Sequence, residues 1–191
     1  MKALPKILLA LTAVAALSVA YPASANLIMN PGFETGDFTG WTASGDAGVF
    51  GTIGGVAPHS GNFQAVFSGI SSLTQSVATT PGASYTIDFF LANTAPPPNS
   101  FLVSWGGSTI FSLTNQGSST SYTEYTFTET ASTASTALHF QFVTQGLGGA
   151  WFLDDVSVNP AGVGVPDGGS TVSLLGFACL GLAALRRKLS C

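Results

Sequence analysis

Residues 84–93 read Ser84-Tyr85-Thr86-Ile87-Asp88-Phe89-Phe90-Leu91-Ala92-Asn93, and every second side chain from Tyr85 to Leu91 is large and apolar. Side chains on a strand alternate between its two faces, so this spacing predicts a β-strand that turns Tyr85, Ile87, Phe89 and Leu91 to a core. Thr136 to Thr144 repeats the pattern with Leu138, Phe140 and Phe142. Shorter strands are expected over Leu27–Met29, Phe63–Ser68, Ser72–Ala78, Phe101–Trp105, Thr109–Thr114, Tyr122–Thr130 and Ala150–Val158. Between them lie turn and loop signals such as Pro81-Gly82, Ala95-Pro96-Pro97-Pro98-Asn99 and Gly146-Leu147-Gly148-Gly149. Short strands separated by turns at intervals of about ten residues are the pattern of an all-β sandwich or barrel. The expected fold class is therefore an all-β sandwich over residues 26–160, with no internal repeat and a Gly-rich tether at 161–164.

Charge narrows what such a domain can do. All five basic residues, Lys2, Lys6, Arg186, Arg187 and Lys188, lie near the two ends, so none stands between Asn26 and Val165. Nine carboxylates less Asp167 leave eight in that interval, beside His59 and His139. Nucleic acid needs cations for its phosphates, and anionic substrates usually meet Arg or Lys clamps, so neither is an expected partner. Unpaired carboxylates among many hydroxyl groups suit a hard cation, of which Ca²⁺ is the common extracellular choice. Cys179 and Cys191 both fall beyond the domain, which excludes an internal disulfide and leaves stability to the core.

The ends describe a route. Residues 1–25 carry Lys2 and Lys6, then an uncharged run from Ile7 to Ala20, then Ala23-Ser24-Ala25. That is the layout of a secretion signal cut by signal peptidase, with Ala23 and Ala25 as the small residues at the cleavage point. Gly168 to Leu185 is uncharged, and a helix over about 170–185 is long enough for a thin bilayer at ~1.5 Å per residue. Arg186-Arg187-Lys188 follows as the membrane stop, and positive charge beside a span stays in the cytoplasm, so the β domain is expected on the far side of the inner membrane.

Val165-Pro166-Asp167-Gly168-Gly169, the apolar stretch, the basic cluster and the short end together resemble a PEP-CTERM-type sorting signal over residues 165–191. The variant it most resembles reads Val-Pro-Asp-Ser-Gly, from which Gly168 departs. The resemblance implies an exosortase partner that recognises the motif, removes the tail and passes the protein to the cell surface or extracellular matrix. Pro166 favours an extended approach and Gly168-Gly169 keep the segment pliable enough for a protease cleft.

Inside the domain, Asn30-Pro31-Gly32-Phe33-Glu34 with Trp41, and Trp151-Phe152-Leu153-Asp154-Asp155-Val156-Ser157-Val158, resemble the galactose-binding-like jelly rolls found in many carbohydrate-binding modules. That resemblance implies first and last strands that lie close together and share a structural Ca²⁺. Glu34 and one of Asp154 and Asp155 would supply carboxylate oxygens, because neighbours on a strand face opposite ways. Asp155 is favoured and Asp154 stays open.

Nothing in the chain spells a catalytic set. His139 sits on the strand face opposite Leu138 and Phe140, His59 stands alone in a turn, and no His/Cys cluster of zinc spacing occurs. The one carboxylate pair, Asp154-Asp155, is expected to split across two faces, so no enzyme is expected. Glycan binding needs exposed aromatic faces, for which Trp105, Tyr122 and Tyr125 are candidates, while Phe33, Trp41 and Trp151 are assigned to the core. The readings left are a domain that binds exopolysaccharide, a purely structural surface or biofilm protein, and last a glycoside hydrolase.

Overall fold

The structure is a computed structural model that describes residues 25–145 and 148–161. The secretion signal, the sorting motif, the expected membrane helix and the basic cluster lie outside the described residues. Eight strands follow one another: β1 (Thr42–Phe50), β2 (Gln64–Ala78), β3 (Ser84–Asn93), β4 (Asn99–Trp105), β5 (Ser108–Thr114), β6 (Ser119–Thr130), β7 (Ser135–Thr144) and β8 (Trp151–Pro160). Among the described residues no helix is long and apolar enough to cross a membrane.

All pairings are antiparallel, in the order β5-β4-β7-β2-β8-β3-β6, with β1 on β2. The long strand β2 explains how one path makes two layers. Its first half pairs β8 through Ala65 to Phe67, and its second half pairs β7 from Ile70 to Ala78. Strand β1 follows both halves and shifts register at Gly45, whose φ is 77°. A Cβ there would stand 2.2 Å from the Ile70 carbonyl oxygen, so only glycine lets the hairpin bend at this point. The result is a front layer, β1-β2-β8-β3-β6, and a back layer, β1-β2-β7-β4-β5, in the manner of a jelly roll.

Alternation places the core where the sequence puts it. Tyr85, Ile87, Phe89 and Leu91 face inward from β3, and Leu138, Phe140 and Phe142 from β7. Phe89 meets Phe140 edge-on at 5.3 Å between ring centroids, which joins the two layers. Phe33, Trp41 and Trp151 are buried in the same cluster. All the described strands and the core that they enclose lie within residues 26–161, so that segment carries a core of its own and is a folding unit.

Three strand expectations are revised. The strands expected at Phe63–Ser68 and Ser72–Ala78 are one bent strand that starts at Gln64, and Leu27–Met29 is no strand, although Leu27 N–H donates to the Val158 carbonyl at 3.0 Å. Strand β1 is additional. Its sequence, Thr-Ala-Ser-Gly-Asp-Ala-Gly-Val-Phe, has small residues where alternation would show.

Candidate functional site

On the front layer, Asp154 and Asp155 do not split across two faces. Asp155 has a left-handed φ of 46°, and between Phe90–Asp154 and Asp88–Ser157 strand β8 carries one residue more than β3. This bulge breaks the alternation that the sequence reading assumes and brings both carboxylates to one corner. A Cβ built on Gly32 would stand 3.2 Å from Asp155 Oδ1, 3.6 Å from Asp154 Oδ1 and 3.7 Å from Glu34 Cγ. Gly32 thus leaves a gap that the three acidic side chains surround.

The corner holds the segment from Gly51 to Phe63, a strap between β1 and β2. Backbone N–H groups of His59 and Ser60 donate to Asp154 Oδ2 at 2.8 and 3.3 Å, and the Asp155 N–H donates to Asp154 Oδ1 at 2.8 Å. Ser60 Oγ donates to Asp155 Oδ1 at 2.7 Å, and His59 Nδ1 lies 2.6 Å from Asp155 Oδ2. Glu34 takes the N–H groups of Asn62 and Phe63 at 2.9 to 3.0 Å. The His59 ring stacks on Phe90 with centroids 3.6 Å apart. A lone loop histidine is therefore the strap's anchor, a role fixed by a contact ninety-six residues away in the chain.

The corner's electrostatics follow from burial. Asp154 has no exposed surface, and that burial, with the Asp155 charge beside it, pushes its carboxyl up to about 7. Glu34 lies on the surface, and the N–H groups of Phe63 and Asn62 hold it below the usual carboxylate range. The donor chemistry suits a hard cation, as three oxygen-bearing acids stand in one corner with no Lys or Arg in the interval. In the present arrangement those oxygens bond to N–H, O–H and imidazole groups. Among the described residues no three acidic or histidine side chains close on one point.

Farther along the strap, Ile53 and Val56 exchange backbone bonds of 3.0 Å in each direction, forming a tight turn with Gly54 and Gly55 at positive φ. Gln64 is completely buried, and its Nε2 donates to the carbonyls of Gly51 and Val56, each at 2.9 Å. Tyr122 O–H donates to Gln64 Oε1. Val56 seats the strap on a small second cluster with Val66, Ala92, Ala150 and Phe152.

Of the aromatic candidates, Trp105 needs correction. It is 4% exposed and faces inward with Phe101 and Val103, the alternation that puts every second residue of β4 into the core. Tyr122 is half-buried against the second cluster and bonded to Gln64, and burial raises its hydroxyl. Tyr125 stacks on Phe89 and packs against Phe111. His139 lies on the outer face of the back layer, where its Nδ1 is 2.7 Å from Thr74 Oγ1.

Residues 25–151 match the family model described as a carbohydrate binding domain, and residues 164–189 match the VPDSG-CTERM motif. No curated protein matches the chain. Among solved structures it is similar to TmCBM61 in complex with beta-1,4-galactotriose, at TM-score 0.58 and 22% identity over 72% of this chain and 99% of that one. It is similar to the CBM22-1 xylan-binding domain of Paenibacillus barcinonensis Xyn10C, at 0.51 and 18% over 74% and 97%. A cyclase from Fischerella sp. TAU in complex with 4-(1H-indol-3-yl)butan-2-one gives 0.54 and 18% over 73% and 99%. At these identities the likeness is one of fold.

Proposed function

The chain belongs to the carbohydrate binding domain family, matched over residues 25–151, and from that premise we propose that it binds glycan at the cell surface and catalyses nothing. The observation that carries this reading is the pairing of that domain with the sorting motif at residues 164–189 in one chain. The motif stands for delivery by an exosortase after export, and the domain for attachment to polysaccharide outside the cell. Solved relatives carry galactotriose or are named for xylan, so galactan and xylan are the first probes.

Binding is tested by affinity electrophoresis of residues 26–161 through gels cast with galactan, xylan or the producing cell's own exopolysaccharide. Retardation in at least one gel is expected. Unretarded migration in all of them, with an intact fold, favours a structural surface protein without ligand. Release of reducing sugar from a bound polysaccharide would overturn the non-catalytic part. Sorting is tested by mass spectrometry of the surface-bound protein, which should lack the tail, whereas a chain still ending in Cys191 contradicts exosortase processing.

For the acid corner the reading includes a structural Ca²⁺ held by Glu34, Asp154 and Asp155. What supports it is that the three acids surround the gap at Gly32, with Asp154 buried and no Lys or Arg in the interval to pair with it. Such an ion stabilises the fold and does no chemistry. Melting that is the same in EGTA and in excess Ca²⁺ contradicts it.

A further inference from the structure

Beside the strap, the outer face of the front layer opens into a recess of about 320 Å³, within the range of small-ligand sites. Strand register builds it. On the outward side Asp46 stands across from Ser68, Gly48 across from Val66, and Val66 across from Phe152. Val66 and Phe152 are apolar and nearly fully buried, and they form the floor. The turn from Ile53 to Val56 forms one wall, with the Gly54 Cβ position 3.7 Å from Phe152 Cζ.

Two details mark the recess as more than a gap in packing. Phe50 and Ile53 line it and are 43% and 41% exposed, two of four large apolar residues so exposed in the described chain. Exposed apolar groups gathered at one recess, with polar groups around them, are what a binding site presents. The second detail is Gly48, on the same face as Phe50. A Cβ at Gly48 would stand 2.4 Å from Phe50 Cε2, so the missing side chain lets the ring lie over Gly48 along the strand while staying largely open to solvent. Beside it, Asp46 is exposed and Ser68 half-buried.

A flat aromatic face next to a carboxylate and a hydroxyl matches a sugar residue, which has an apolar C–H face and a rim of hydroxyl donors. The absence of Lys and Arg from Asn26 to Val165 leaves nothing to neutralise an acidic sugar, and Asp46 would repel one. We propose that this recess is the glycan site, in which one uncharged sugar unit stacks on Phe50 and gives hydroxyl hydrogen bonds to Asp46 and Ser68. The proposal rests on the carbohydrate-binding reading above and gives it an address. Gln64 and Tyr122 are positioning residues for it, since they fix the turn that walls the recess and touch no sugar.

The test is a chemical-shift map of ¹⁵N-labelled residues 26–161 titrated with beta-1,4-galactotriose, xylohexaose, a cello-oligosaccharide and a polygalacturonate oligomer. Shifts from at least one neutral oligosaccharide are expected to centre on Asp46, Gly48, Phe50, Ile53 and Ser68. Phe50→Ala should weaken that binding roughly 10-fold, the loss of one stacking aromatic, while Phe50→Tyr keeps it within about 3-fold. Gln64→Glu keeps an acceptor for Tyr122 but cannot donate to the Gly51 and Val56 carbonyls. It should weaken binding and speed hydrogen exchange at Ile53 and Val56 together. Shifts centred on Thr74, His139 and Gln141, with Phe50→Ala unchanged, overturn the site and leave glycan binding standing. No shifts with any sugar overturn both, and binding of polygalacturonate alone overturns the uncharged ligand.

Discussion

The front and back layers share one core and one hairpin, yet their outer faces are finished differently. The front face carries a strap pinned by three carboxylates, a second apolar cluster and two exposed apolar side chains beside a recess. The back face presents mostly small polar groups, with Ser44 Oγ 2.8 Å from Ser72 Oγ and Thr74 bonded to His139, and carries one exposed apolar side chain, Ile70, where β2 begins to pair β7. Both faces come from strands with the same alternation, so pattern alone does not distinguish them. What separates them is the connection between β1 and β2, which folds back over one face only.

The largest expected difference is in stability. Phe152 is 2% exposed beneath the strap, and Phe152→Ala should cost about 3–5 kcal/mol in urea unfolding. Gln141→Ala, on the exposed back face, should stay within about 0.5 kcal/mol. Equal losses would mean that the strap's cluster contributes no more than a solvated surface.

Next comes pH, where two of the corner's three acids, Asp154 and Glu34, act in opposite directions. Asp154 keeps its proton to about pH 7 when folded but only to about 3.8 when unfolded, so the folded state binds more protons between those values. Without divalent cation, stability should therefore fall as pH rises from about 4 to 7. Glu34 is lowered by its N–H donors, so the stability it adds above the ordinary carboxylate range is lost as pH falls through its folded value. Thermal melts in EGTA should thus show an optimum on the acid side. Added Ca²⁺ should flatten the decline toward pH 7, and a decline unchanged by Ca²⁺ speaks against an ion at the corner.

Smaller effects sharpen the contrast. Tyr122→Phe removes the donor that orients Gln64 and should cost about 1 kcal/mol, with faster exchange at the Ile53 and Val56 amides. Ser72→Ala removes one exposed hydroxyl pair on the back face and should fall within about 0.5 kcal/mol. If Ser72→Ala costs as much as Tyr122→Phe, the two faces are not built differently in energy.

Sequence legibility divides along the same line. Strand β3 is read with its own boundaries and inward residues, because large apolar side chains recur at every second position. Trp105 is legible too, since it continues the parity of Phe101 and Val103, and that parity marks it as core and not as a platform. Strand β1 was hidden by its small residues, which pair by backbone bonds and leave no apolar trace. The joint facing of Asp154 and Asp155 depends on one left-handed residue, and the anchoring role of His59 on contacts far along the chain. Neither leaves a local pattern.

One titration puts the comparison of faces to its most direct test. Calorimetry of residues 26–161 with the neutral oligosaccharide that binds most tightly should show Asp46→Asn weakened roughly 10-fold, the loss of a hydrogen bond to a charged acceptor, and His139→Ala unchanged. The reverse result, an unaffected Asp46→Asn and a weakened His139→Ala, would place the glycan on the back face and contradict the site on the front.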